Sequence, residues 1–319
     1  MLSNDFEILG TTIERGSSHV LNLEVAKLHT RTPIKVPVLV ERAKKDGPVV
    51  LLMSGVHGDE VNGVAILRDI IRKKYHKPTS GIIICIPVFN IFGYLIQTRE
   101  FPDGRDLNRM FPGSKNGSLA SQFANQFTME IAPLVDYVID FHTGGAERDN
   151  VPQIRCDFSD KTATDLAHVF RPPYIVHSES ISKSIRDTLI KLGKTILLFE
   201  GGKSKSIDPK IVDVGVAGAR NVLCHLGMLR GEITQEYESK VIHKSKWIRS
   251  TNSGMFRPLV ENGATVKKRD IIGLIQDPFG DFERKVRAPF DCHIFCTNTS
   301  PIINKGNALF HVSAEEEEV

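Results

Sequence analysis

The chain predicts an α/β protein, a mixed sheet flanked by helices, followed by a smaller all-β unit. Three observations carry this expectation. Continuous apolar runs such as Pro48-Val-Val-Leu-Leu-Met-Ser54 read as strands buried on both faces. Segments with apolar residues at helical spacing separate these runs. Beyond Val241 the helical period disappears, and short strands punctuated by Gly254, Gly263, Gly273, Gly280 and Gly306 take over. Composition agrees: 319 residues, 41% hydrophobic and 25% charged, are enough for two globular domains and exclude a disordered, collagen-like or fibrous chain.

Taken in order, residues 1–45 form a β-rich opening. Leu21, Leu23 and Val25 alternate with polar neighbours there, and Gly10 and Gly16-Ser17-Ser18 mark turns. The strand at 48–54 is followed by a helix carrying Val64, Leu67, Ile70 and Ile71 on one face. The alternation then repeats: strand 82–88, helix 120–131, strand 135–141, helix 182–192, strand 195–199, helix 212–229. A polar stretch at 232–240 marks a boundary at about residue 240, so 1–240 and 241–319 read as two domains. Within the second, Val260-Glu-Asn-Gly263 before 271–275 is echoed by Ile303-Asn-Lys-Gly306 before 309–312, which suggests a module folded from two halves.

Charge and targeting signals narrow the function classes. A net charge of +3 is too small a bias to imply nucleic-acid or lipid binding. The acidic tail Glu315 to Glu318 reads as a solvated end. The most apolar stretch, 81–96, is interrupted by Pro87, Asn90 and Gly93 and falls short of a membrane span. The start, Met1-Leu2-Ser3-Asn4-Asp5, has neither the basic opening nor the apolar core of a leader. Five cysteines are scattered, and Cys292 and Cys296 on one strand would lie roughly 13 Å apart, too far to bridge. Free buried thiols in a cytoplasmic protein are expected.

The chemistry stands at the ends of the buried strands. One run ends in Gly55-Val56-His57-Gly58-Asp59-Glu60, another in Asp140-Phe141-His142-Thr143-Gly144-Gly145, a third in Leu197-Leu198-Phe199-Glu200-Gly201-Gly202. Ligands bind beyond the carboxyl ends of such strands, so His57, Glu60, His142 and Glu200 fall along one rim. Two imidazoles and a carboxylate suit a tetrahedral zinc with an open fourth position. A water on such a zinc has its pKa lowered to near 7, and Glu200 is then the candidate general base. Singly, each residue has a plainer explanation: a chance His-x-x-Glu pair, a rim histidine, a capping or surface carboxylate. A second cluster contains Arg99 and Asp103-Gly-Arg-Asp-Leu-Asn-Arg-Met-Phe-Pro-Gly113. It reads as a carboxylate clamp, with an arginine fork and the neutral donors of Asn108, or as a solvated loop with internal Arg–Asp pairing.

His57-Gly-Asp-Glu60, Asp106-Leu-Asn-Arg109, Asp140-Phe-His142 and Phe199-Glu200, in that order, resemble the succinylglutamate desuccinylase/aspartoacylase family, a branch of the zinc-carboxypeptidase fold. The resemblance covers nearly the whole chain. It implies one zinc per chain bound by His57, Glu60 and His142, with Glu200 as the base and Asn108 and Arg109 gripping a substrate carboxylate. It also implies an oxyanion-stabilising arginine, for which Arg99 is the first match and Arg105 the alternative. Arg155, in Val151-Pro-Gln-Ile-Arg155, reads equally as a further substrate contact or a surface arginine. The C-terminal unit resembles the barrel-sandwich domain that ends longer family members and is similar to biotinyl and lipoyl carriers. Its turn, Asp277-Pro-Phe-Gly-Asp281, has no lysine, so a part in shaping the substrate entrance or in oligomer contact is expected instead of covalent carriage. The implied activity is zinc-dependent deacylation of an N-acyl amino acid or related small N-acylated amine. A metallocarboxypeptidase acting on short peptides is the alternative, and a non-catalytic binding or scaffold protein is a third reading. Expected partners are a small-molecule N-acylated substrate, with a homo-oligomer left open and neither nucleic acid nor membrane.

Overall fold

The structure, a computed structural model, describes residues 6–27, 30–234 and 237–314. The first five residues of the β-rich opening and the acidic tail lie outside the described residues. At the centre of a 13-stranded sheet, four parallel strands run in the order Thr195–Lys203, Tyr137–Gly144, Val49–Ser54, Ile82–Ile86. The long pair Ser18–Lys27 and Pro33–Arg42 adds antiparallel to the Ile82–Ile86 side. Arg148–Cys156 adds antiparallel beside Thr195–Lys203.

The central strands are mostly apolar up to their carboxyl ends because both faces are covered. Leu51 and Met53 pack into one core, Val50 and Leu52 into the other, as a side-chain period of two requires. On one face lies the helix Leu119–Glu130 with an aromatic cluster, in which Phe123 stands 4.7 Å from Phe89 and 5.6 Å from Phe101. On the other lie helices Val61–Arg72, Lys161–Phe170 and Pro209–His225. Caps explain where the helices begin. The helix expected at 212–229 starts earlier, because Asp208 accepts from the Lys210 amide and Pro209 takes the first helical position. The helix expected at 182–192 is Ile185–Lys191, opened by the Ser184 hydroxyl accepting from Asp187 N.

From Lys240 onward the regular secondary structure of the described residues is all strand, in keeping with the loss of helical period, but these strands do not stand apart. Cys292–Asn298 pairs with Arg148–Cys156, matching Cys296 to Asn150 and Asn298 to Arg148, so the main sheet continues through Cys292–Asn298 and Ala308–Ser313 to Ser245–Arg249. This continuation covers the Arg148–Asn150 part of that strand's outer edge, while Gln153–Cys156 pairs there with Tyr174–His177. A four-stranded antiparallel sheet, Glu283–Arg287, Ile271–Gln276, Gly254–Pro258 and Ile302–Ile303, completes the unit around Phe256, Ile275, Ile294 and Phe310. The two echoed turns both place glycine in the left-handed region, Gly263 at φ 98° and Gly306 at φ 90°. All five cysteines are free, Cys292 and Cys296 sharing one strand. No helix among the described residues is long and apolar enough to cross a membrane.

Candidate active site and metal centre

The chain leaves strand Val49–Ser54 through Gly55, whose φ of 65° turns it sharply; a Cβ there would meet the Val88 Cα at 3.2 Å. That turn delivers His57 to the rim. Glu60 occupies the N-cap position of helix Val61–Arg72, yet its side chain caps nothing and points into the site instead. His142 comes from strand Tyr137–Gly144, and Glu200 stands directly across from it on Thr195–Lys203. Three distant stretches of sequence are thereby brought together.

Glu60 Oε1 lies 2.8 Å from His57 Nδ1, and Oε2 lies 2.8 Å from His142 Nδ1 while accepting from Thr143 N at 3.1 Å. Ligand atoms of His57, Glu60 and His142 all lie within 4.8 Å of one another, and all three residues are buried. The outer nitrogen of each imidazole is held by a carboxylate: His57 Nε2 by Asp106 Oδ1 at 3.1 Å, His142 Nε2 by Asp140 Oδ2 at 2.9 Å. This is the arrangement by which metal-ligating histidines have their ring orientation fixed. Despite its short contact with Glu60, His57 Nδ1 has no hydrogen bond of acceptable alignment. A buried nitrogen and a carboxylate oxygen that touch without aligning suit two ligands of one cation better than a mutual hydrogen bond.

The charges follow from the packing. Burial opposes a charged imidazole, but Glu60 and Asp106 outweigh it at His57, and Asp140 and Glu60 at His142, so both pKa values rise. Burial alone would raise Glu60; the two imidazoles instead hold it far below the usual carboxylate range. Glu200 goes the other way: burial raises its pKa, with Arg155 opposing. Asn150 Nδ2 donates to Glu200 Oε2 at 2.9 Å.

Around this centre opens a pocket of ≈ 390 Å³ lined by His57, Glu60, His142 and Glu200 together with Arg99, Asn108, Arg109 and Arg155. Arg99 donates through Nε (3.2 Å) and Nη2 (2.8 Å) to Asp106 Oδ2, and through Nη1 (3.3 Å) to Glu60 Oε1. Gly145 makes room for it, since a Cβ there would stand 2.9 Å from Arg99 Nη1 and 3.3 Å from Glu60 Oε1. Arg105 does not line the pocket; it is exposed and pairs with Asp103 at 3.4 Å. Asn108 accepts from Ile185 N at 2.9 Å through Oδ1, and its carbonyl accepts from Arg109 Nη1 at 2.7 Å.

Several lining or supporting residues were not anticipated: Asp106 and Asp140 as imidazole partners, Asn150, Arg148, Arg186, and from the C-terminal strands Trp247 and Cys296. Asp140 had a usable signal, because a residue two before His142 on a strand shares its face. Trp247 had none, since its approach depends on pairing between segments far apart in the chain.

Fold and site together define a mixed α/β protein with a buried His57–Glu60–His142 cluster that could hold a metal ion. The model of the succinylglutamate desuccinylase/aspartoacylase catalytic domain matches residues 46–226, and the chain belongs to that family. N-alpha-acetyl-L-2,4-diaminobutyric acid deacetylase of Halomonas elongata is 28% identical over 256 residues, covering 76% of this chain and 75% of that protein. The product-bound structure of the ectoine utilization protein EutE (DoeB) from Ruegeria pomeroyi superposes with a TM-score of 0.83 at 24% identity, covering 94% of this chain and 95% of that one. A succinylglutamate desuccinylase/aspartoacylase from Rhodobacter sphaeroides gives a TM-score of 0.84 at 22% identity, covering 94% and 97%. These two structures share the fold.

Proposed function

We propose that this protein is a zinc-dependent amide hydrolase, a deacylase that cleaves an N-acyl amino acid or a related small N-acylated amine. The carrying observation is the buried convergence of His57, Glu60 and His142, each imidazole braced from behind by a carboxylate, with Glu200 across from His142. Two nitrogens and one oxygen are the donor set of a three-ligand zinc site, and the misaligned His57–Glu60 contact fits a shared cation. When bound, the metal supplies a Lewis acid that makes a water acidic near neutral pH and polarises a substrate carbonyl. The deacetylase activity named for the Halomonas relative supports amide cleavage of this kind.

The residues of the chain divide the remaining work. Glu200 takes a proton from the attacking water and returns it to the leaving nitrogen. Its burial favours the protonated form and brings its pKa towards the working range of a general base, while Asn150 fixes one oxygen and leaves the other free to act. Arg99 has five N–H donors, of which Asp106 engages two and Glu60 one, so two remain for the oxygen that gains charge as the carbonyl is attacked. Asn108, with its oxygen tied to Ile185, offers its amide nitrogen to the substrate. Arg109 and Arg155 form no ion pair among the described residues and supply forks for a substrate carboxylate. The test is Glu200→Gln in the zinc-loaded protein, assayed on N-acyl amino acids. The expected result is a kcat lower by about 10²- to 10⁴-fold with zinc still bound at one per chain. Wild-type turnover by this variant would remove Glu200 from the mechanism.

A further inference from the structure

Trp247 is the single tryptophan of the chain and stands on strand Ser245–Arg249, well beyond the residues that carry the metal ligands. It nevertheless lines the same pocket as His142 and Glu200. One face of its ring lies flat on His311, its cross-strand partner, with centroids 4.2 Å apart and an interplanar angle of 10°. His311 is itself held, by Ser245 Oγ at 2.9 Å from Nε2 and by Phe295 at 4.5 Å, so the indole rests on a fixed support. The Arg148 guanidinium lies over the Trp247 ring, 5.2 Å from its centroid. Arg148 also lines the pocket and forms no ion pair among the described residues. A cation over an indole face is attracted to it and held in place while its N–H donors point outward around the plane.

We propose that Trp247 is a positioning residue: it holds the Arg148 guanidinium at the pocket wall, where Arg148 takes up a carboxylate of the acylated substrate. This rests on the deacylase reading for the nature of the substrate, although the binding step stands without it. It also gives the C-terminal strands a defined part in the site. Their pairing with Arg148–Cys156 brings Trp247 over an arginine that the metal-bearing half supplies.

The sole tryptophan provides a probe at the site itself. The full chain, loaded with zinc, is assayed on a panel of N-acetyl- and N-succinyl-amino acids. Trp247 emission is then titrated with the same compounds and with their neutral amides in the Glu200→Gln background, where little turns over. Expected is a saturable emission change with the acids and none with the amides. Arg148→Gln should weaken the apparent affinity at least about tenfold. Trp247→Ala should raise KM about 3- to 30-fold with kcat changed less than about threefold, and Trp247→Phe should restore most of the loss. If the acids bind saturably and Arg148→Gln abolishes the response but no panel member is hydrolysed, the carboxylate site stands and the deacylase reading falls. If wild type hydrolyses the panel while Arg148→Gln and Trp247→Phe keep KM within twofold and Trp247 emission ignores the ligand, the proposal is overturned. It is overturned equally if Trp247→Ala merely lowers the melting temperature and Arg148→Gln changes nothing.

Discussion

Asp106 joins the two halves of the site, and Asp106→Asn tests that junction. One of its oxygens takes His57 Nε2 at 3.1 Å and the Asn108 amide at 2.9 Å, and the other takes two N–H groups of Arg99 at 3.2 and 2.8 Å. The asparagine keeps the shape but loses the charge. Its oxygen can serve the first pair of donors only by turning its NH₂ towards the Arg99 guanidinium, where donor then meets donor. Loosening the brace behind a metal-ligating imidazole costs about 10- to 100-fold in metal affinity. Both charge-assisted hydrogen bonds at Arg99 are then lost; one alone costs about 1.5–3 kcal/mol, so kcat/KM should fall at least about 10- to 150-fold even when zinc is saturating. The assay is zinc competition against a chromophoric chelator, followed by steady-state kinetics on an N-acyl amino acid at saturating zinc. Both quantities should fall, and added zinc should recover only part of the rate. Affinity and rate each within twofold of wild type would refute the coupling through Asp106.

Gly145→Ala separates function from stability. The new methyl would stand 2.9 Å from Arg99 Nη1, so the guanidinium must shift; kcat should drop at least about tenfold while the melting temperature stays within about 2 °C of wild type. An equal loss of both would mean that the backbone, not Arg99, is disturbed. Burial, with Arg155 and Arg148 nearby, pushes the His311 pKa down from 6.5 to about 3. Above pH 6.5 both folded and unfolded states hold it neutral; as pH falls from 6.5 towards 3 only the unfolded state takes the proton, so stability is lost. Denaturant titrations of wild type and His311→Phe should therefore show a stability gap that shifts by about 1.4 kcal/mol per pH unit between pH 6 and 4, against wild type. A gap independent of pH would place a charged His311 in the folded protein. Chelation should abolish hydrolysis, and readdition of zinc at about 100 times its Kd should restore it and add about 2.7 kcal/mol of stability; activity that survives exhaustive chelation would exclude a metal role.

What the sequence reveals and what it hides follow from the same packing rules. Parallel strands buried on both faces are mostly apolar along their length, which is why Val49–Ser54, Ile82–Ile86 and the first part of Tyr137–Gly144 stand out from their surroundings. The residues at their carboxyl ends could then be placed on one rim by topology alone. Strand Arg148–Cys156 escaped notice because it turns polar side chains, Arg148, Asn150 and Arg155, towards the pocket and so lacks an apolar signature. Its pairing with Cys292–Asn298, about 140 residues on, is a choice of partner that no local pattern encodes, and with it the approach of Trp247 was hidden. Of the two arginines that the family resemblance offered for the oxyanion position, only Arg99 lines the pocket; Arg99 is paired with Asp106, whereas Arg105 is exposed and paired with Asp103.

Anomalous diffraction from crystals of the zinc-loaded protein, recorded on both sides of the zinc absorption edge, tests the central claim most directly. The account predicts one strong peak per chain, within about 2.0–2.2 Å of His57 Nδ1, His142 Nδ1 and a Glu60 carboxylate oxygen. A map without a peak there, or with its zinc bound by other side chains, would contradict it.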